Sequence, residues 1–176
     1  PSGSHVAETV KGHVEFRGVH FSYLPDEPIL RGIHLDIPAG ETWALVGATG
    51  SGKSTLVHLL LGYYLVEEGE IRLDGVRLRD WQINSLRRHV ALVQQDVFLF
   101  SDSVRNNVTG YRDIPVSLIW SAAEAMGIDE FLRGLPGGLD YDVKERGGML
   151  STGQRQLLAF LRAYLRDPSL LILDEA

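Results

Sequence analysis

The fold is decided by the stretch Gly47-Ala48-Thr49-Gly50-Ser51-Gly52-Lys53-Ser54. It matches the pattern G-x-x-x-x-G-K-[ST] in full. The apolar run before it, residues 42–46, predicts a strand buried on both faces, and residues 56–61 after it have a helical pattern. A buried strand, a glycine-rich turn and a helix in this order predict a loop that wraps a phosphate group.

Each part of this phosphate loop has a physical reason. Three glycines keep side chains away so that backbone N–H groups can point at the phosphate, and the helix start adds its positive dipole end. Lys53 supplies a full charge to the β and γ phosphates, and the Ser54 hydroxyl suits Mg²⁺, which prefers oxygen ligands. The predicted nucleotide-binding residues of the loop are Gly47, Ala48, Thr49, Gly50, Ser51, Gly52, Lys53, Ser54 and Thr55.

The chain closes with four apolar residues and two carboxylates, in the run Leu170-Leu171-Ile172-Leu173-Asp174-Glu175. At the end of a strand beside the phosphate loop, Asp174 can hold magnesium through a water, and Glu175 is placed to orient or deprotonate an attacking water. Taken alone, the pair could equally be two solvated carboxylates. The phosphate loop favours the catalytic interpretation, because the two motifs predict each other.

Composition restricts the class of protein. The chain has 176 residues, 44% hydrophobic and 23% charged, which fits one folded domain. Its formal net charge of −6 argues against a nucleic-acid partner. With no cysteine, a disulfide framework and a thiolate metal site are excluded. No apolar run approaches the roughly 18 residues of a membrane span, so we expect the chain itself not to cross a bilayer.

A second motif, Leu150-Ser151-Thr152-Gly153-Gln154-Arg155-Gln156, lies just before the acidic strand. With the phosphate loop, it makes residues 14–176 resemble the nucleotide-binding domain of an ATP-binding cassette (ABC) transporter. The family signature is L-S-G-G-Q, from which Thr152 departs. The resemblance implies an α/β fold: a P-loop NTPase with a RecA-like core, an antiparallel β subdomain and an inserted α-helical subdomain.

The resemblance also implies roles for single residues. Tyr23 stands where the family has the aromatic that stacks on adenine. Gln95 stands where the family has a glutamine that reaches magnesium and the attacking water, with Gln94 as the competing choice. The implied catalytic residues are Glu175 and Gln95, and the implied magnesium ligands are Ser54, Gln95 and Asp174. The residues implied to contact ATP held by a second copy or a partner domain are Ser151, Gly153 and Gln154.

Two further stretches resemble exporters within this family. Val143-Lys144-Glu145-Arg146-Gly147 looks like V-G-E-R-G, and Ser103-Val104-Arg105-Asn106-Asn107 looks like T-I-R-x-N. A multidrug or lipid exporter of this type implies a membrane domain fused N-terminally, a second nucleotide-binding domain, and ATP or ADP with Mg²⁺. It also implies no nucleic-acid partner and a place on the cytoplasmic side of a membrane, expected to be a bacterial inner membrane.

The likeness predicts where a membrane domain would touch this chain. Residues 98–107 would receive its cytoplasmic coupling segment. Phe98, Leu99 and Phe100 are therefore expected to be partly exposed, because exposed apolar patches commonly mark an interface.

Four segments follow from the family pattern. Residues 1–5 are interpreted as a cloning remnant outside the fold, and residues 6–100 as the β subdomain with the first part of the core. Residues 101–154 would form the helical subdomain ending in the signature, and residues 155–176 would return to the core with the acidic strand. The family continues with a partner-contacting loop, a strand and a sensing histidine. The C-terminal part of the domain is therefore expected to be missing, with slow ATP turnover by this chain.

Two other functions are alternatives to an export ATPase. The first is a soluble ABC ATPase of the DNA-repair or translation type. Only 55 positions separate Gln95 from Leu150, without heptads, whereas repair members carry a very long insertion there. The second is a non-hydrolysing regulatory domain, against which Glu175 argues, since degenerate sites commonly lose that carboxylate.

Overall fold

A computed structural model of the chain describes residues 3–144 and 148–174. The strands are β1 (Val14–Ser22), β2 (Pro28–Ile37), β3 (Glu68–Leu73), β4 (Val76–Arg77), β5 (Val90–Val93) and β6 (Leu170–Leu173). The α-helices are α1 (Lys53–Leu60), α2 (Ile83–His89), α3 (Val104–Thr109), α4 (Val116–Ala125), α5 (Asp129–Gly134) and α6 (Thr152–Tyr164). Packing divides the chain into two compact units, Pro1–Val90 and Ala91–Ala176. The four segments expected from the family pattern stay a prediction.

The first unit is built on an antiparallel sheet with the strand order β2-β1-β3-β4. Strand β1 buries Val14, Phe16, Val19 and Phe21. Every second residue of β1 is buried, but this alternation is interrupted between Phe16 and Val19. There the pairing register shifts and Gly18 takes a φ of +59°. The shift returns Val19 and Phe21 to the buried face, because side chains of a strand alternate between its two faces.

The core of the first unit includes fully buried Trp81 and Leu86. His5 belongs to this unit, since its N–H donates to Asp80 O (2.9 Å) and its carbonyl accepts from Gln82 N (2.8 Å). The His5 ring also meets Trp81 edge to face, with the ring centroids 4.6 Å apart. His5 therefore packs within this unit, while the interpretation of residues 1–5 as a cloning remnant stays a prediction.

The strand predicted at residues 42–46 is not formed, and the prediction of burial on both faces is wrong. Trp43 and Leu45 are exposed, and Val46 is 88% exposed. A strand exists only when a neighbouring strand accepts and donates its backbone hydrogen bonds. Within residues 3–144 and 148–174, no strand pairs with this segment. An apolar run indicates that a segment can be buried, but it does not specify a neighbouring strand that pairs with it.

The second unit contains a helical core and a two-stranded sheet of β5 and β6. Residues of α3, α4, α5 and α6 fill that core, among them fully buried Val108, Ile119, Leu132 and Leu158. Strand β6 is only half-buried, because Leu171 and Leu173 are exposed. The four apolar residues form a strand, as predicted, but they are not buried along its whole length.

Serine side chains cap the N-termini of two helices. Ser103 caps α3 by accepting from Asn106 N, and Ser151 caps α6. Asp129 is the first residue of α5.

Among the described residues, no helix combines the length and the hydrophobicity that crossing a bilayer requires.

Candidate functional site

The phosphate loop enters α1 through backbone that glycine alone adopts without strain. Gly50 has a φ of +82° and Gly52 a φ of +89°, both in the left-handed region. A Cβ at Gly52 would lie 2.7 Å from Leu30 Cδ2, and a Cβ at Gly47 would lie 2.7 Å from Ser51 Oγ. The loop therefore needs glycine for both its backbone angles and its close contacts.

The ammonium group of Lys53 lies against the start of the loop. Its Nζ donates to Gly47 O at 2.8 Å and to Ala48 O at 3.0 Å. Ser54 is exposed, and the first turn of α1 carries no acidic residue. The start of α1 thus combines the positive end of the helix dipole, the Lys53 ammonium group and the exposed Ser54 hydroxyl. Groups of this kind bind phosphate in proteins.

Tyr23, one residue after β1, is joined to the same helix. Its hydroxyl lies 3.3 Å from Thr55 Oγ1 and 3.1 Å from His58 Nδ1. The ring is 40% exposed and meets the rings of Phe21 and Tyr64 nearly at right angles. The structure therefore brings the predicted Tyr23 and Thr55 together.

Sequence reasoning missed His58 and Tyr64. One signal was available: His58 follows Thr55 by three positions, so both lie on one face of a helix. No comparable pattern marks Tyr64, because its contact with Tyr23 joins distant parts of the sequence.

In the second unit, the structure brings Asp174 to the end of β5. Asp174 N donates to Val93 O at 2.9 Å. Gln94 and Gln95 follow Val93 directly and are both exposed, so the structure places either amide at this end of the sheet. Glu175, the predicted catalytic carboxylate, lies outside the described residues.

The signature motif forms the capped start of α6. Ser151 Oγ accepts from Gln154 N at 3.1 Å, and Gln154 Oε1 accepts from Ser151 N at 2.9 Å. Such a reciprocal pair satisfies two N–H groups at the helix start. Ser151 and Gly153 are exposed, and the first turn of α6 carries no acidic residue. Of the predicted exporter stretch before the signature, residues 145–147 lie outside the described residues.

Arg162, three turns along α6, holds the segment that follows β5. Its Nε donates to Asn107 O (2.8 Å) and its Nη1 to Phe98 O (3.1 Å). Burial lowers the pKa of Arg162. Asn107 is buried, and its side chain in turn accepts from Phe100 N (2.8 Å) and donates to Phe100 O (2.9 Å). The signature helix is thus tied to the backbone that carries Phe98 and Phe100.

That backbone presents an aromatic patch, defined here as Phe98, Phe100 and Tyr111. Phe98 is 54% and Phe100 45% exposed, and their ring centroids are 5.1 Å apart. The Tyr111 ring lies 5.9 Å from Phe100, and its hydroxyl donates to Asp102 Oδ2 at 2.9 Å. Leu99 is fully buried in the helical core, so the expectation of its exposure is wrong. Its neighbours Phe98 and Phe100 are the exposed ones.

Hydrogen bonds also stabilise the ionised form of Asp102 at the edge of this patch. Asp102 accepts hydrogen bonds from the backbone N–H of Ser103, the amide of Asn106 and the hydroxyl of Tyr111. These bonds lower the pKa of Asp102, and the backbone bond has the largest effect.

No group of three or more His, Asp or Glu side chains gathers as a metal site within the described ranges 3–144 and 148–174.

Comparisons with known proteins agree with this arrangement. A sequence profile of the family described as "ABC transporter" matches residues 30–176. The chain is 49% identical to the ATP-dependent lipid A-core flippase of Escherichia coli (strain K12) and 46% identical to that of Mannheimia succiniciproducens. Each match covers 99% of this chain and 30% of the relative.

A solved structure, of a bacterial Atm1-family ABC exporter with ATP bound, matches with a TM-score of 0.90 at 35% identity. The match covers 99% of this chain and 30% of that chain. The chain belongs to the ABC transporter family, and the resemblance to its exporters is confirmed. The predicted fold, α/β with an antiparallel sheet and added helices, is confirmed too. The chain spans about 30% of the length of the relatives that it matches.

The contacts of Arg162 lead to a test by substitution. In Arg162→Met the carbonyls of Phe98 and Asn107 lose their donors. Amides of residues 98–107 are therefore expected to exchange with solvent about tenfold faster, since a hydrogen bond to a charged group contributes about 1.5–3 kcal/mol. Hydrogen-exchange mass spectrometry measures this directly.

The control is Arg133→Met, which removes an exposed arginine of the same unit that pairs with Glu124 at 3.2 Å. It should leave residues 98–107 unchanged. Equal protection of that segment in Arg162→Met and the unsubstituted chain would show that Arg162 does not hold it.

Proposed function

We propose that this chain binds and hydrolyses ATP and thereby powers export across a membrane by an ABC transporter. The observation that carries the proposal is the start of α1, where Lys53 and the left-handed glycines Gly50 and Gly52 form a loop suited to a phosphate. Membership of the ABC transporter family supports it, as do relatives described as ATP-dependent flippases. The soluble alternative has no such support among these relatives.

Phosphate binding needs little rearrangement of this chain. Lys53 Nζ exchanges its two carbonyl acceptors, Gly47 O and Ala48 O, for phosphate oxygens. A charge-assisted hydrogen bond to an anion is stronger than one to a neutral carbonyl, so the exchange is favourable. The free N–H groups of the first turn of α1 add to it. Tyr23, joined to α1, is proposed to stack on adenine.

The proposed magnesium ligands fit that ion in chemistry. Ser54 offers a hydroxyl, Gln95 an amide oxygen and Asp174 a carboxylate, and all three residues are exposed. Mg²⁺ prefers oxygen ligands and keeps several waters, so a few exposed oxygens are sufficient. When bound, the ion neutralises charge on the β and γ phosphates. Glu175 is proposed to orient or deprotonate the attacking water, with Gln95 assisting.

A second nucleotide-binding domain is proposed to complete the site. Ser151 Oγ uses a lone pair on Gln154 N, which leaves its own proton to donate. That proton, the N–H groups near Gly153 and the positive end of α6 are proposed to meet the γ-phosphate held by the other domain. Gln154, whose Oε1 is engaged with Ser151 N, keeps its amide N–H₂ for the same phosphate.

The aromatic patch is proposed to receive a cytoplasmic segment of the transporter's membrane domain. Two exposed phenylalanines in edge-to-face contact form an apolar surface of the kind that marks interfaces. We therefore propose that the chain lies at the cytoplasmic face of a membrane. By likeness to lipid A-core flippases, we propose that the exported molecule is a lipid.

Removal of the Lys53 charge tests nucleotide binding. Lys53→Ala is expected to weaken ATP binding in the presence of Mg²⁺ by about 30-fold or more, because a charged donor to phosphate is lost. Isothermal titration calorimetry gives the affinity. Lys11→Ala, which removes another lysine of the same unit, should bind ATP as the unsubstituted chain does. Unchanged affinity in Lys53→Ala would contradict the phosphate site.

Cysteine crosslinking in the full-length transporter tests the membrane partner. The chain has no cysteine of its own, so Phe98→Cys introduces the first one here. It should form a disulfide with a cysteine placed in a cytoplasmic loop of the membrane domain, because Phe98 lies on the aromatic patch. Tyr164→Cys, at an exposed aromatic of the same unit, is the control and should not. A crosslink from position 164 but none from 98 would overturn the assignment of this surface.

A further inference from the structure

A group of aromatic side chains surrounds Tyr23 in the first unit. The Tyr23 cluster consists of Phe21, Tyr23, His58 and Tyr64. The rings of Phe21 and Tyr64 each lie 5.0 Å from that of Tyr23, at interplanar angles of 89° and 81°. Edge-to-face contacts of this kind favour one relative orientation of the rings. Two of them on one ring restrict how Tyr23 can turn.

The hydroxyl of Tyr23 is fixed at its other end. It has one proton to donate and lone pairs to accept, so it can bond Thr55 Oγ1 at 3.3 Å and His58 Nδ1 at 3.1 Å together. Both partners lie on α1, whose first residue is Lys53. The helix that begins at the phosphate loop therefore also fixes Tyr23.

His58 and Tyr64 are themselves supported. The ring of Tyr64 lies 5.7 Å from Phe21 and 6.3 Å from His58. His58 also lies 5.7 Å from Tyr63. Neither His58 nor Tyr64 belongs to the phosphate loop, and each contacts Tyr23, the residue proposed to stack on adenine.

We propose that His58 and Tyr64 are positioning residues that orient Tyr23 and thereby set the part of ATP affinity that depends on the adenine base. This rests on the proposed function, in which Tyr23 stacks on adenine. Stacking depends on the plane and place of the ring, whereas the phosphates are bound by Lys53 and the start of α1. Loss of either positioning residue therefore weakens ATP but not a ligand that consists of phosphates alone.

The test compares ATP with inorganic triphosphate, each titrated calorimetrically with Mg²⁺ into the 176-residue chain. His58→Leu and Tyr64→Ala should each weaken ATP about fivefold, the scale of one hydrogen bond or aromatic contact, and leave triphosphate affinity unchanged. His58→Asn supplies a polar atom near the place of Nδ1, and Tyr64→Phe keeps the ring. Both should restore ATP binding.

Three further variants complete the test. Tyr23→Phe keeps the ring and removes the hydroxyl, which contacts both His58 and Thr55, so it should show an ATP-specific loss at least as large as that of His58→Leu. The double variant Tyr23→Phe/His58→Leu should lose no more than Tyr23→Phe alone, because the bond to His58 is already absent there. His34→Leu, an exposed histidine of the same unit outside the cluster, is the matched control and should bind both ligands normally.

The outcomes separate this inference from the proposed function. If the unsubstituted chain binds neither ligand, the proposed function and this inference fall together. If it binds ATP and Tyr23→Ala weakens it, while His58→Leu and Tyr64→Ala do not, only the inference is overturned. An equal loss of ATP and triphosphate in these variants would also overturn it, since that result marks a general structural role.

Discussion

The left-handed turn at Gly52 is the constraint on which the first unit depends. With a φ of +89° and only 2.7 Å between a would-be Cβ and Leu30 Cδ2, this position starts α1 directly against a core side chain of β2. The direction of α1 follows from it. Lys53 then reaches back to Gly47 and Ala48, while Thr55 turns inward towards Tyr23. One glycine thus sets the places of Lys53, proposed to bind the phosphates, and of Thr55, which contacts the proposed adenine-stacking residue Tyr23.

In the second unit, local contacts also fix the first turn of a helix. The capping box of Ser151 and Gln154 fixes the first turn of α6, and buried Leu158 anchors the helix in the core. Farther along, Arg162 binds the backbone of Phe98 and Asn107. These hydrogen bonds connect the backbone of the aromatic patch to the helix that carries the signature. In the proposed transporter this link would connect a membrane partner to the nucleotide.

Local patterns predicted much of this structure, and long-range pairing accounts for what they missed. The helix after the phosphate loop and the strand at residues 170–173 were predicted as found, because these signals are contained in neighbouring residues. Residues 42–46 show the opposite case, since composition alone does not specify the strand that must pair with them. The Arg162 contacts and the contact of Tyr64 with Tyr23 also join distant residues, so no spacing rule marked them.

The start of α1 is proposed to be a phosphate site held ready by Lys53. A crystal structure of the chain with Mg²⁺ and a non-hydrolysable ATP analogue would test this proposal. We expect Lys53 Nζ to leave Gly47 O and Ala48 O and to lie about 2.8 Å from a β- or γ-phosphate oxygen. A nucleotide bound elsewhere, with Lys53 still on those two carbonyls, would contradict it.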